Sequence, residues 1–307
     1  DFSKSGPQSL GPMNVRPPFI HGMAYYAVIS MIDPSVPNNF GLARAIECRF
    51  GDGSILNPSF PAPVGFYSST LAAVEDIIFE AISRVAGRPA VAHNASGGMV
   101  VLGNVGSSKR SYVQYELLLS GNGAYAGGDG WTGTGHSWTG GAKFTSVEIL
   151  ESEFDVELLR FAVVEDTAGA GEFRGGPGFV REYLVKEPCR YAGGTIRSLE
   201  PSHGVNGGHH GTPAELVVNP GSEGATVYKG MVSNLLLNPG DVIRVQTGSG
   251  GGVGDPKSRE INRVMQDIRN GYISTHSAVE IYGINLSIAQ KASNNDAIDP
   301  NDGQLTG

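Results

Sequence analysis

The residues best suited to chemistry stand in one glycine-rich segment. Between residues 115 and 148 the sequence reads YELLLSGNGAYAGGDGWTGTGHSWTGGAKFTSVE, with Glu116, Asp129, His136 and Glu148 among closely spaced glycines and two tryptophans. A histidine titrates near pH ~6.5, so His136 can pass a proton to a leaving amine or an enolate, and a carboxylate can orient it. Glycines let backbone come close to a ligand, and Trp131 can wall out water. The catalytic candidates are therefore Asp129, His136 and Glu116, with Trp131 as a substrate-binding candidate. The plainer alternative is that Asp129 caps a turn and His136 bonds a carbonyl.

Three other groups compete for attention. Arg174, Arg181 and Arg197 lie around the stretch FRGGPG. Arg174 reads as a hydrogen-bond clamp on a glycine turn, with phosphate or carboxylate binding as the alternative, and it joins the substrate-binding candidates. His203, His209 and His210 fall in HGVNGGHHGTP, but no carboxylate stands at a ligand spacing, which favours a structural loop over a metal site. The run TGSGGGVGDPKS resembles a phosphate cradle, yet Pro256 replaces the second glycine of the P-loop pattern and Val253 breaks the dinucleotide pattern. Proline has no N–H to offer a phosphate, and Asp255 adds a negative charge where phosphate would sit. No nucleotide or other cofactor is assigned to this chain on that evidence.

Composition narrows the possibilities. The 307 residues include 45 Gly and 18 Pro, are 40% hydrophobic, and carry a net charge of −8. That size buries a large core, while the acidic balance argues against nucleic acid as a partner. No apolar run reaches the ~18 residues needed to span a bilayer. Cys48 and Cys189 form neither a C-x-x-C pair nor a disulfide framework. The chain reads as soluble and cytoplasmic. Its opening, DFSKSGPQSLGP, reads as the continuation of something longer or as a processed subunit.

The elements that position these residues form an α+β fold: a β-rich, glycine-rich core of sandwich-like or barrel-like sheets, an N-terminal α/β part and C-terminal helices. Residues 1–97 form the mixed α/β part. FIHGMAYYAVISMIDP predicts a buried helix ended by Pro34, and LARAIECRF a strand. Leu71, Val74, Ile77, Ile78, Ala81, Ile82 and Val85 form an apolar stripe at helical spacing, started by Ser68 or Ser69 and ended by Gly87. Residues 98–250 form the β-rich part, with strands expected at MVVLGNV, SYVQYELLL, TSVEILES, VELLRFAVVED, FVREYLV, AELVVNP and DVIRVQTG. Residues 251–284 hold two helices, the first defined by Ile261, Val264, Met265 and Ile268 and ended by Gly271. Residues 285–307 read as a polar, peripheral tail.

Several separated blocks resemble one family. GAGEFRGGPGFVREY is followed downstream by GGGVGDP, NGYIS and AVEIYGI, and preceded by DFSKSGPQSLGPMNV, YYAV, NNFGLARAIE and SILNPSFPAPVG. In type and order these resemble the C-terminal half of the hydantoinase B / 5-oxoprolinase family, which includes subunits of acetone and acetophenone carboxylases. The resemblance covers residues 1 to about 284. It implies an ATP-dependent hydantoinase A-type partner that activates a small-molecule substrate by phosphoryl transfer. The B-type subunit then completes ring-amide hydrolysis or, in the carboxylases, C–C bond formation.

The family's metal-binding histidines and aspartate precede the start of this sequence. The resemblance therefore implies ATP with Mg and a divalent metal, Zn or Mn, in the full complex, and a further N-terminal B-type segment or chain. The expected function is a B-type part of an ATP-dependent cyclic-amide hydrolase, inactive alone. The alternatives are a subunit of a ketone carboxylase and a non-catalytic scaffold. A carbohydrate-binding module, suggested by Trp131 and Trp138, does not explain the order of the blocks. In the family pattern G-x-D-G precedes a histidine pair; Gly127, Asp129, Gly130 and His136 match it, but Trp138 stands where the second histidine would fall. The resemblance also makes GGGVGDP a tight link whose glycines serve close backbone packing and φ values other residues resist.

Overall fold

The computed structural model describes residues 1–106, 111–135 and 141–294. The chain divides into two units, Asp1–Val91 and Ala92–Gly307.

The first unit is built on helices α1 (Pro17–Ile32), α2 (Phe40–Ala45) and α3 (Tyr67–Val85). Pro17 opens α1, where a missing N–H costs nothing. Helices α1 and α3 pack through ring pairs, Phe19 on Tyr67 at 4.6 Å and Tyr26 on Phe79 at 5.7 Å. The stretch expected as a strand at LARAIECRF begins instead inside α2. Asn39 accepts a hydrogen bond from the Gly41 N–H and so caps a helix that ends in the good helix formers Leu42, Ala43, Arg44 and Ala45. Helix α3 exists as the periodicity predicts and ends with Gly87 at φ +59°. Its start differs: Phe66 holds the cap position without a side-chain bond, and Ser68 and Ser69 lie inside the helix. Burial is confined to its N-terminal half, where Leu71, Ala72, Val74, Glu75 and Asp76 are buried. Ile77 and Val85 are exposed, so the stripe located the helix but not the extent of its buried face.

The second unit contains two antiparallel sheets. One has the order β10-β7-β1-β2, from β1 (Gly98–Asn104), β2 (Val113–Leu118), β7 (Cys189–Thr195) and β10 (Met231–Leu237). The other has the order β5-β6-β11-β8-β9, from β5 (Val156–Val163), β6 (Phe179–Val185), β8 (Glu215–Val218), β9 (Thr226–Tyr228) and β11 (Val242–Gln246). A two-stranded ladder joins β3 (Ser120–Gly121) and β4 (Thr132–Thr134). Both larger sheets are open, so the sandwich-like expectation holds and the barrel-like one does not. They share one hydrophobic core, with Val100, Leu102 and Tyr191 from the first and Tyr183, Leu216 and Ile243 from the second.

Strand β2 inverts the usual pattern. It buries Gln114, Glu116 and Leu118 and exposes Val113, Tyr115 and Leu117. The stretch TSVEILES, expected as a strand, is helix α4 (Val147–Glu153). Ser146 caps it through the Ile149 N–H, and Glu148 sits in the first turn, where the helix dipole favours an anion.

The C-terminal segment carries α5 (Ile261–Arg269), α6 (Thr275–Glu280) and α7 (Leu286–Ser293) around a second, small core that also takes in Ala170. Gly271 ends α5 at φ +67°. Helix α7 falls in the stretch read as a polar tail. Asn285 caps it through the Ser287 N–H, and Ala289 and Ala292 are fully buried, a pairing too sparse to show as periodicity.

Candidate functional site: a glycine hub and its clasp

The glycines after β11 are the meeting point of four loops. A Cβ on Gly250 would lie 1.8 Å from the Asn122 carbonyl oxygen, one on Gly251 2.2 Å from that of His203, and one on Gly252 2.2 Å from that of Ala170. Only glycine admits such backbone-to-backbone approach. The φ part of the expectation applies only to Gly254, at +78°; Gly250, Gly251 and Gly252 are required by space instead. Each backbone N–H of the run already donates to the protein. Gly250 donates to Gly176 O, Gly251 to His93 O, Gly252 to His209 O, Val253 to Phe173 O and Gly254 to Val205 O, at 2.8–3.2 Å. A phosphate cradle needs those donors free, so this run is a structural hub. Asp255 then caps a 3-10 turn at Pro256–Ser258 through the Lys257 N–H.

Asp129 lies in the loop between β3 and β4 and packs against this hub. Its carboxylate takes both terminal nitrogens of Arg259, Oδ1 at 2.7 Å and Oδ2 at 2.8 Å, and Oδ1 also accepts the Arg174 backbone N–H at 2.9 Å. Arg259 Nη2 reaches Asp267 Oδ2 at 2.7 Å, and Arg174 Nε reaches Asp267 Oδ1 at 2.8 Å. The Arg174 guanidinium also donates to Gly175 O and lies 4.6 Å over the Tyr272 ring. Burial works against charge on both partners, raising the Asp129 pKa and lowering that of Arg259. The hydrogen bonds and opposite charges outweigh it, holding Asp129 below the usual carboxylate range and Arg259 above the usual guanidinium range. A carboxylate held this way anchors its loop and is a weak proton acceptor.

The structure thus brings two of the sequence candidates together, Asp129 and Arg174. Trp131, two residues on, is 70% exposed. Its carbonyl accepts the Asn122 N–H, which ties the loop's two arms. His136 lies outside the described residues, as does Trp138.

Glu116 is placed elsewhere, in the inter-sheet core, where it is 2% exposed. It pairs with Arg181 and accepts the Tyr183 hydroxyl at 2.6 Å. Burial, then the Glu116 charge, raises the Tyr183 pKa well above the phenolic range. Arg181 is boxed by aromatic rings, with its guanidinium 4.8 Å from the Phe161 centroid and 5.3 Å from that of Phe144. Glu148 is exposed in α4.

The histidine-rich loop is a stack. The rings of His203 and His210 stand 4.9 Å apart, and His93, distant in sequence, stacks on His203 at 4.9 Å. His210 Nδ1 accepts the Gly204 N–H at 3.0 Å. Among the described residues no three His, Cys, Asp or Glu are grouped so as to hold a metal ion.

Sequence reasoning passed over Arg259, Asp267 and His93. Asp267 carried a signal: it interrupts the apolar side of α5 between Val264 and Ile268, and it is buried there. A charge on a buried helix face needs a partner.

Fold and site together describe an α+β protein whose glycine-rich candidate loop is organised by a backbone hub. The sequence profile of the Hydantoinase B/oxoprolinase family matches residues 1–256. The chain belongs to the Hydantoinase B/oxoprolinase family. It is 30% identical over 288 residues to an uncharacterised protein of Methanocaldococcus jannaschii, covering 93% of this chain and 50% of that protein. It is 30% identical over 277 residues to the caprolactamase subunit beta of Pseudomonas jessenii, covering 85% of this chain and 47% of that subunit. The crystal structure of the ATP-dependent caprolactamase from that organism superposes with a TM-score of 0.79 at 25% identity, covering 99% of this chain and 52% of that one. A nucleotide-free acetone carboxylase structure gives a TM-score of 0.76 at 19% identity, covering 93% of this chain and 43% of that one, a likeness of fold. The chain thus spans about half the length of these relatives. No helix among the described residues is long and apolar enough to cross a membrane.

Proposed function

We propose that this chain is part of the B-type component of an ATP-dependent cyclic-amide hydrolase, acting on a small substrate that an A-type partner subunit has activated by phosphoryl transfer. The observation that carries this reading is the match to the ATP-dependent caprolactamase, which spans nearly the whole chain in structure and most of it in sequence. The ketone-carboxylase alternative rests on a likeness of fold alone.

Within this reading the described residues of this chain supply position. Asp129 ties the loop to Arg259, Trp131 offers an exposed apolar wall, and the Arg174 guanidinium holds the hub through Asp267 and Gly175 O. His136 remains the candidate proton carrier of the same loop. Glu116, buried against Arg181 and Tyr183, serves the core. ATP with Mg and a divalent metal, Zn or Mn, belong to the assembled complex. No three donors of the described residues fit such a metal, so no step is assigned to it here. The need for ATP fits a cytoplasmic location.

The test is ATP turnover by the complex purified with its partner subunit, measured with a lactam, an oxoproline and a hydantoin. Amide-dependent ADP release with ring opening is expected. His136→Ala should lower it by ~10²-fold with little change in melting temperature. Turnover with a ketone and bicarbonate, and with none of the cyclic amides, would place the chain with the carboxylases.

A further inference from the structure

The family profile ends at residue 256, and Arg259 and Asp267 stand just beyond it. These two residues close a ring. Arg259 Nη1 donates to Asp129 Oδ1 and to Glu172 O, and Nη2 donates to Asp129 Oδ2 and to Asp267 Oδ2. All four terminal N–H groups of that guanidinium are therefore engaged. The second oxygen of Asp267 takes Arg174 Nε, and the backbone N–H of Arg174 returns to Asp129. Each link joins a different segment: the β3–β4 loop, the stretch around Glu172 and Arg174, the turn before α5, and α5 itself.

On its other arm the loop is held by uncharged bonds: the Gly123 N–H donates to Asn94 Oδ1, the Ala124 N–H to Gly251 O, and Ala124 O accepts the Ala92 N–H. Its large apolar residue, Trp131, is mostly exposed, so apolar packing of that ring does not fix the loop. The ring does so with charge-assisted bonds of defined direction. Arg259 is 4% exposed and Asp267 3%, so solvent competes little for these bonds. Lysine could not replace Arg259, because a single ammonium cannot span both oxygens of Asp129 and reach Asp267 as the planar fork does.

We infer that Arg259 and Asp267 are positioning residues that act through Asp129, so that helix α5 sets the geometry of the β3–β4 loop on which turnover depends. This rests on the function proposed above. A misplacement of about 1 Å costs an enzyme on the order of 10²-fold in rate, which sets the scale of the expected effect.

The conservative variants Arg259→Lys and Asp267→Asn test it. Two readouts are needed, both taken where far-UV circular dichroism shows the variant folded. One is kcat and KM of the complex with its partner. The other is time-resolved tryptophan anisotropy of the full chain, since its two tryptophans, Trp131 and Trp138, belong to this loop and its continuation. The expected result is a fall in kcat of about 10- to 100-fold, KM within about threefold, and a faster anisotropy decay. A folded Arg259→Lys with wild-type anisotropy and turnover within twofold overturns the inference. So does failure of both variants to fold at any temperature, which would make the ring a requirement of the fold alone. If the wild-type complex opens no cyclic amide, the functional reading fails, and the anisotropy arm still decides whether α5 holds the loop.

Discussion

The inter-sheet core and the glycine hub are both buried, yet they reach close packing by opposite means. In the core, Val100, Leu102, Tyr191, Tyr183 and Ile243 interlock as side chains. In the hub, backbone meets backbone because Gly250, Gly251 and Gly252 have no side chain. Each region also buries ionic groups, and these differ too. Glu116–Arg181 is a pair with Tyr183 as its third member, and Arg181 Nε and Nη2 find no hydrogen-bond partner among the described residues. The Asp129–Arg259–Asp267–Arg174 ring leaves only Arg259 Nε without such a partner among its buried side-chain polar atoms, and it uses every carboxylate oxygen of its two aspartates. A core pair can be exchanged for well-packed apolar residues, because its surroundings are already apolar. The ring joins backbone segments, and no apolar group of similar size makes those connections.

The largest effect should come from Gly250→Ala. Its Cβ would meet the Asn122 carbonyl, a backbone atom fixed by its own hydrogen bonds, rather than a flexible side chain. Overpacking ordinarily costs ~1–3 kcal/mol. This site should exceed that and abolish cooperative urea unfolding, whereas a loss below about 1 kcal/mol would show that the hub can expand.

Next is Glu116→Ala, which leaves the Arg181 charge buried and unpaired and should cost about 3–5 kcal/mol. The double variant Glu116→Leu/Arg181→Met should recover most of that loss in the same urea titration. Failure to recover would make the core pair as irreplaceable as the ring and erase the contrast.

A smaller effect is expected from pH. Burial, then the neighbouring His93, His210 and Arg197, lowers the His203 pKa, against a weaker pull upward from Glu200. A histidine whose folded pKa is depressed binds protons more readily when unfolded. Its contribution is therefore complete above the unfolded value of ~6.5 and is lost as pH falls below it. The melting temperature should fall between pH 7 and pH 5, and His203→Gln should flatten part of that slope. An unchanged slope would remove the stack from the account.

The smallest effect should be Val85→Ser, on the exposed end of α3, within about 0.5 kcal/mol of wild type. A loss above 1 kcal/mol would mean that the whole stripe is covered after all.

Periodicity and separated motifs carried much of this into the sequence. Strands β1, β6 and β11 stand out as short apolar-rich runs next to glycine turns, α5 shows its apolar face, and the family blocks were legible because they recur in order. Strand β7 was hidden by Gly193 and Gly194, which weaken any alternation, although a Cβ at Gly193 would meet the Met99 carbonyl at 2.3 Å. Helix α4 was misread because VEIL alternates like a strand, and the cap at Ser146 decides otherwise. The sequence also groups Glu116 with Asp129, but β2 turns Glu116 into the core. The ring was illegible for a simple reason: Asp129 and Arg259 are 130 residues apart, and no local pattern marks such a pair.

That separation has a consequence for how the chain acquires its structure. Sheet pairs such as β1 with β2 join neighbours in sequence and can form early. The hub needs loops around residues 93, 122, 170, 205 and 250 at once, so its loop-closure entropy falls due before most of its contacts exist. On the ribosome it cannot assemble until residue 254 has emerged, just after β11, the central strand of the second sheet, so that sheet and its glycine keystone are completed together.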